Sequence, residues 1–165
     1  MLVVIEEAFK TDTGRQRHAN EDSYFARPPL FAVADGMGGA QAGEVASRIA
    51  AGAFDKELDP EAAPEAQLES IAEDANREIH ELAQRDSSRA GMGTTLTAAM
   101  ISGGEVSLGH VGDSRAYVLR DGELKRLTKD HSLVEELRRQ GRPQVVIGGI
   151  EAPITVGLSS WFGHA

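Results

Sequence analysis

The chain predicts an α+β fold with largely antiparallel sheets, and three observations carry that expectation. Short apolar runs bounded by Pro and Gly open it. Two longer stretches with apolar residues at helical spacing fill its middle. Short runs rich in Thr, Val and Ala, separated by glycine turns, follow. Strands first, helices next and a meander last is segregation of element types, not βαβ alternation. At 165 residues and 41% hydrophobic content, the length suits one domain with a real core.

Taken in order, Leu2-Val3-Val4-Ile5 reads as a strand and residues 11–20 as a loop. Residues 23–26 form a short strand closed by Pro28-Pro29. Leu30-Phe31-Ala32-Val33-Ala34 is a continuous apolar run, so a buried strand is expected. After the glycines, Ala42, Val45, Ala46, Ile49, Ala50, Ala53 and Phe54 recur on one helical face. Pro60 interrupts, and a second helix starts near Pro64, whose fixed φ suits a first turn. Its stripe is Leu68, Ile71, Ala72, Ala75, Ile79 and Leu82; Glu69, Glu73, Asp74, Arg77, Glu78 and Glu81 make a solvated opposite face. Residues 93–101 turn to β character, and 102–105 are a turn. Strands at 106–111 and 116–120 flank an Asp113 turn, Asp121-Gly122 signals a hairpin, and 123–127 pair back. Ser132, with Glu135 three residues on, predicts the N-cap of a short helix over 133–140. Residues 143–150 suit one more strand; the remainder, through Trp161 and Phe162, has no clear period.

Composition excludes several function classes. The net charge is -9, from 17 basic and 26 acidic residues, which argues against nucleic acid or an anionic membrane as a partner. Without cysteine there is no disulfide, thiolate zinc site or cysteine nucleophile. Glu6 and Glu7 soon after Met1 do not read as a signal peptide, and no apolar run reaches membrane-spanning length. A cytoplasmic location is the expectation.

The chemistry-bearing residues are acids beside glycines. Asp35 ends the apolar run and Gly36 follows, so a carboxylate and the next carbonyl can face one cation with no Cβ between. Glu21 and Asp22 can complete such a shell, and Asp113 sits in the similar turn Gly112-Asp113-Ser114. Arg17, just upstream, suits a phosphate ligand. A lone Asp-Gly is most often a turn former or cap, and Asp35 can cap the helix that follows; three acidic sites with an arginine weaken that plain explanation. Gly36-Met37-Gly38-Gly39 lacks the Lys of a P-loop and is no dinucleotide fingerprint, so tight packing explains it as well. Among the histidines, His80 is expected in solvent and His110 packed in a strand. His18 and His131 lie near the acidic motifs, where proton transfer competes with a plain surface role. Ser114 is not in a Gly-x-Ser-x-Gly elbow.

Four segments, in order, carry a resemblance: RQRHANEDSYF from Arg15, FAVADGMGGAQAGEVAS from Phe31, GMGTTLTAAMI from Gly91 and LGHVGDSRAYVLRDGELKRLTKDHS from Leu108. They resemble the metal-dependent serine/threonine protein phosphatases of the PPM (type 2C) family in their bacterial form. The resemblance implies an antiparallel β-sandwich flanked by helices, in α-β-β-α layers. It implies two or three Mn²⁺ or Mg²⁺ ions, and hydrolysis of phosphoserine and phosphothreonine by metal-activated water. Phosphorylated proteins, a cognate Ser/Thr kinase or its substrates, are the implied partners. Asp35 matches the bridging aspartate, Gly36 the glycine that ligates through its carbonyl, and Glu21 and Asp22 acids that hold water beside the ions. Arg17 matches the arginine that grips substrate phosphate, and Asp113 the acid of an additional, weaker metal site. Met37 stands where some members carry a histidine.

Two further aspartates of the family, in an Asp-Gly and an Asp-Asn turn, have no match after Arg142. Residues 1–141 are therefore expected to be the N-terminal majority of the domain and 142–165 a divergent tail. An incomplete C-terminal part leaves sheet edges exposed. The alternative expectation is a catalytically impaired regulatory or phosphoprotein-binding remnant.

Overall fold

A computed structural model describes residues 3–15, 18–38 and 41–131, together with the backbone of strands at 144–148 and 155–159. Two strands open the main sheet as an antiparallel hairpin: β1, Asp22–Arg27, and β2, Leu30–Met37. The helices follow, α1 over Ala42–Gly52 and α2 over Pro64–Arg85, the latter with Pro64 in its first turn. The meander then runs β3, Gly93–Thr94; β4, Leu96–Ser102; β5, Glu105–Val111; β6, Arg115–Arg120; and β7, Glu123–Arg126. Two more strands, β8 (Gln144–Gly148) and β9 (Thr155–Ser159), complete the set.

All pairings are antiparallel. A six-stranded sheet has the order β1-β2-β4-β5-β8, with β3 pairing to the end of β2; a three-stranded sheet has the order β7-β6-β9. Asp121 and Gly122 both have positive φ, 51° and 81°, which lets the β6–β7 turn follow the strand twist.

Strand β2 departs from the expected continuous burial. Leu30, Ala32, Ala34 and Gly36 are buried, while Phe31, Val33 and Asp35 are only partly covered. The period of two sends alternate residues to two environments. One face meets the helices, where Leu30, Ala32 and Ala34 join Ala42, Ala46, Ala50, Phe54, Leu68 and Ile71 in the main core. The small α1 residues let that helix lie close to the sheet. A smaller cluster, Ala99, Val106, Leu108 and Ala116, joins β4 and β5 to β6 on the other face. The described residues thus supply one helical layer and two sheets of the expected α-β-β-α order.

The expected strand at residues 2–5 is not present in its described part. Residues 3–13 have no regular structure, and Val3 and Ile5 are 66% and 95% exposed. A short apolar run makes a strand only where a neighbouring strand takes up its hydrogen bonds; here the segment's contact is instead Phe9 stacked on Tyr24, with centroids 4.8 Å apart. The helix expected over 133–140 and the residues Trp161 and Phe162 lie outside the described residues. Among the described residues, no helix is long and apolar enough to cross a membrane.

Candidate metal centre

The hairpin register places Asp22 directly opposite Asp35. Their neighbours identify the face. Ser23 bonds Ser47 of α1, hydroxyl to hydroxyl at 3.0 Å, and Ala34 belongs to the helix-side core. Alternation therefore points Asp22 and Asp35 to the other face, side by side. Directly opposed carboxylates repel, so the pair suits a hard cation.

Glu21 adjoins this pair. Its carbonyl accepts the Gly36 N–H at 3.1 Å. Its carboxylate lies against the first turn of α1, where a Cβ on Gly43 would fall 3.0 Å from Glu21 Oε1. Gly36 is held to glycine by the same approach: its Cβ would lie 1.9 Å from the Gly43 carbonyl oxygen. The end of β2 passes under α1 with no room for a side chain. The helix N-cap is Gln41, in the left-handed region, so Asp35 does not cap α1.

The β3–β4 junction grips the Asp35 peptide. The Asp35 N–H donates to Thr95 Oγ1 at 2.9 Å, the Thr95 N–H donates to the Asp35 carbonyl at 2.9 Å, and Thr94 Oγ1 donates to that carbonyl at 3.0 Å. Asp113 is exposed, in the turn between β5 and β6. Gly112 before it has φ +102°, and a Cβ there would lie 2.7 Å from Thr95 Cγ2. This turn and the Asp35 strand end thus meet at one residue, Thr95.

The fold gathers Glu21, Asp22, Asp35 and Gly36 and brings the Asp113 turn to the same junction. Arg17 lies outside the described residues. Among the described residues, no three His, Asp or Glu side chains converge closely enough to hold one ion between them. The donors are hard oxygens of the right class for Mg²⁺ or Mn²⁺.

Three buried hydroxyls lie in this region: Thr95, Thr97 and Ser114. Thr95 and Thr97 escaped the sequence analysis, and Ser114 entered it only as an unsupported nucleophile; their signal was small polar residues in or beside strands, which require partners once buried.

His110 is packed, as expected, and 2% exposed. Its Nε2 lies 2.9 Å from the Lys129 carbonyl, which only accepts, so Nε2 carries hydrogen. Its Nδ1 lies 2.9 Å from Thr97 Oγ1, and the His131 ring is 4.8 Å away, centroid to centroid. His131 Nδ1 in turn accepts the Gly112 N–H at 3.2 Å, and the His131 backbone N–H donates to the Gly112 carbonyl at 2.9 Å. Asp130 is clamped by Arg115 through two bonds of 2.9 and 2.6 Å, and the Arg115 hydrogen bond holds its carboxyl below the usual carboxylate range. His80 is exposed, bonded to Gln84.

Burial pushes the His110 imidazolium to ionise below the ordinary value of 6.5, against the opposing pull of the Lys129 carbonyl and Asp130. The unfolded chain then binds a proton first as pH falls. Stability from His110 is complete above the ordinary histidine value and is lost as pH falls through the depressed one. The urea midpoint should therefore drop between about pH 7.5 and 5 by more in the native chain than in His110→Gln. Equal drops would remove His110 as the source.

The sequence profile described as protein phosphatase 2C matches residues 14–140. The chain belongs to that family. It is 42% identical over 144 residues to the serine/threonine protein phosphatase PstP of Mycobacterium tuberculosis, an alignment covering 86% of this chain and 28% of the relative. It is 41% identical over 144 residues to the serine/threonine phosphatase stp of Listeria innocua, covering 81% and 57%. The chain thus spans between about a quarter and somewhat over half the length of these curated relatives. The crystal structure of Mycobacterium tuberculosis PstP/Ppp superposes with a TM-score of 0.72 at 34% identity, covering 91% of this chain and 72% of that one. The catalytic domain of PstP in complex with two manganese ions gives a TM-score of 0.70 at 36% identity, covering 91% and 70%. These likenesses extend the family membership to the fold, an antiparallel two-sheet architecture with helices.

Proposed function

We propose that this chain carries a metal-dependent serine/threonine protein phosphatase site, with cytoplasmic phosphoproteins as substrates and a cognate kinase or its targets among them. The observation that carries the reading is the opposed carboxylate pair Asp22–Asp35, with Glu21 alongside, in a family member whose relative PstP binds two manganese ions. Asp35 and the Gly36 carbonyl are the proposed direct ligands, Glu21 and Asp22 the proposed holders of ordered water, and Asp113 the acid of a further site. Bound Mn²⁺ or Mg²⁺ would supply Lewis-acid charge for the phosphoryl group and acidify water. Arg17 would orient the phosphate through paired hydrogen bonds, which a guanidinium makes and a cation ligand does not. The net charge of -9 argues against nucleic acid as the main partner.

The experiment is Mn²⁺-dependent release of phosphate from a phosphothreonine peptide by the 165-residue chain, paired with calorimetric Mn²⁺ titration. Arg17→Ala should weaken peptide affinity by about 1.5–3 kcal/mol, the range for a hydrogen bond to a charged group, while Mn²⁺ affinity holds. Equal losses of both would point to local unfolding and withdraw Arg17 from the site.

One observation favours a second reading. Since no three potential ligands converge among the described residues, a phosphoprotein-binding role without turnover fits the same residues. Peptide binding without phosphate release would select it.

A further inference from the structure

We propose that Ser114 is a positioning residue: its hydroxyl, through Thr95, ties the Asp113 turn to the strand end that presents Asp35. This deepens the metal-site reading and rests on it for the functional consequence, while its structural half stands alone.

The two acids arrive on different parts of the chain. Asp35 ends β2, and Asp113 sits in the exposed turn between β5 and β6. A metal-bearing site needs them at a set separation, and the two His131 bonds to Gly112 tie the Asp113 turn to the chain after β7 but not to β2. Ser114, next to Asp113, is 1% exposed, and Thr95 and Thr97 are 3% and 0% exposed. Ser114 Oγ lies 2.7 Å from Thr95 Oγ1, the same oxygen that accepts the Asp35 N–H at 2.9 Å. Thr97 Oγ1 lies 3.2 Å from the Ser114 carbonyl and 2.9 Å from His110 Nδ1, so its one hydrogen is shared between two acceptors. Thr95, just before β4, and Thr97, within it, are two residues apart, so they reach toward the same face and clip Ser114, Thr95 through the side chain and Thr97 through a shared bond to the backbone.

Sterics close the clip from the other side. Gly112 presses on the Thr95 methyl so closely that a Cβ would sit 2.7 Å from it. The Thr95 hydroxyl carries one hydrogen and two lone pairs. With the Asp35 N–H on one lone pair, its remaining capacity faces Ser114. One oxygen therefore connects the backbone of Asp35 with the residue beside Asp113, and no longer path is needed. A buried hydroxyl pair that merely satisfied folding would show no energetic link to Asp113; a positioning pair must show one.

The test uses the whole chain. Calorimetric Mn²⁺ titration of Ser114→Ala should give roughly 2- to 12-fold weaker binding, the equivalent of one neutral hydrogen bond. Thr95→Ser, which keeps the hydroxyl, should stay near the native value. In an Asp113→Asn background, Ser114→Ala should have no further effect, because the acid it positions is gone. The same loss in that background, or native affinity in Ser114→Ala, would overturn the proposal.

Amide hydrogen exchange supplies a metal-free readout. Ser114→Ala should speed exchange at Asp35 and at Gly112, whose N–H groups are bonded to Thr95 Oγ1 and His131 Nδ1, by about tenfold or more while the melting temperature changes little, as for local opening. Unchanged exchange at Asp35 would overturn the link even if binding changed. A native chain that binds no Mn²⁺ would overturn the phosphatase reading, and the exchange measurement would still decide the positioning role.

Discussion

Asp35→Asn should abolish Mn²⁺ binding in calorimetric titration. Asp35 faces Asp22 across the hairpin register, and Glu21 closes on the same strand end. Directly opposed acids repel without a cation, and an asparagine amide contributes far less field to a doubly charged ion than a carboxylate. The substitution leaves the hydrogen bonds to Thr94 and Thr95 untouched, since they use the backbone N–H and carbonyl of Asp35. The variant should therefore melt cooperatively, and loss of binding would not be loss of fold. Native Mn²⁺ affinity in Asp35→Asn would remove this residue from the site and with it the reading of the carboxylate pair.

The second large effect is steric. Gly36→Ala should destabilise the chain by on the order of 3 kcal/mol or more, beyond ordinary overpacking, because the clash is with backbone. The new Cβ would lie 1.9 Å from the Gly43 oxygen and 2.3 Å from its carbonyl carbon. No rotamer change relieves that contact; α1 has to lift from β2, opening the core around Ala34, Ala42 and Ala46. Gly104→Ala is the control, since nothing lies within 4 Å of its added Cβ, and it should stay within about 0.5 kcal/mol. Urea denaturation of both measures the contrast. A small loss at Gly36 would mean that the helix can shift and that the glycine is not required for packing.

Much of this architecture was legible from local pattern. The stripes of α1 and α2 bury the residues that helical spacing selected, among them Ala46, Ala50, Leu68, Ile71 and Ala75. Pro64 opens α2, and Asp121-Gly122 turns the β6–β7 hairpin. These are short-range effects, written in neighbouring residues. The failures were non-local. Val3 and Ile5 belong to an apolar run that suits a strand but have no described strand beside them. Strand β9, in a stretch without period, exists through its pairing with β6. Phe31 and Val33 looked as buried as Ala32, because an apolar run cannot state that its two faces meet different layers.

The same division holds at the site. Residue type and order singled out the acids and glycines proposed for it, and four segments in sequence pointed to the family. Only the tertiary structure decided that Asp22 stands opposite Asp35, since register depends on how two strands align along their full length. Only it showed that Gly36 is a steric requirement imposed by Gly43, seven residues on but packed against it through a helix. Thr95 and Ser114, 19 residues apart and unremarkable in sequence, become partners because β4 and β5 pair antiparallel and return the chain to the same sheet end. Local chemistry is carried by each residue; the distance between two residues far apart in sequence is set by the packing of everything between them.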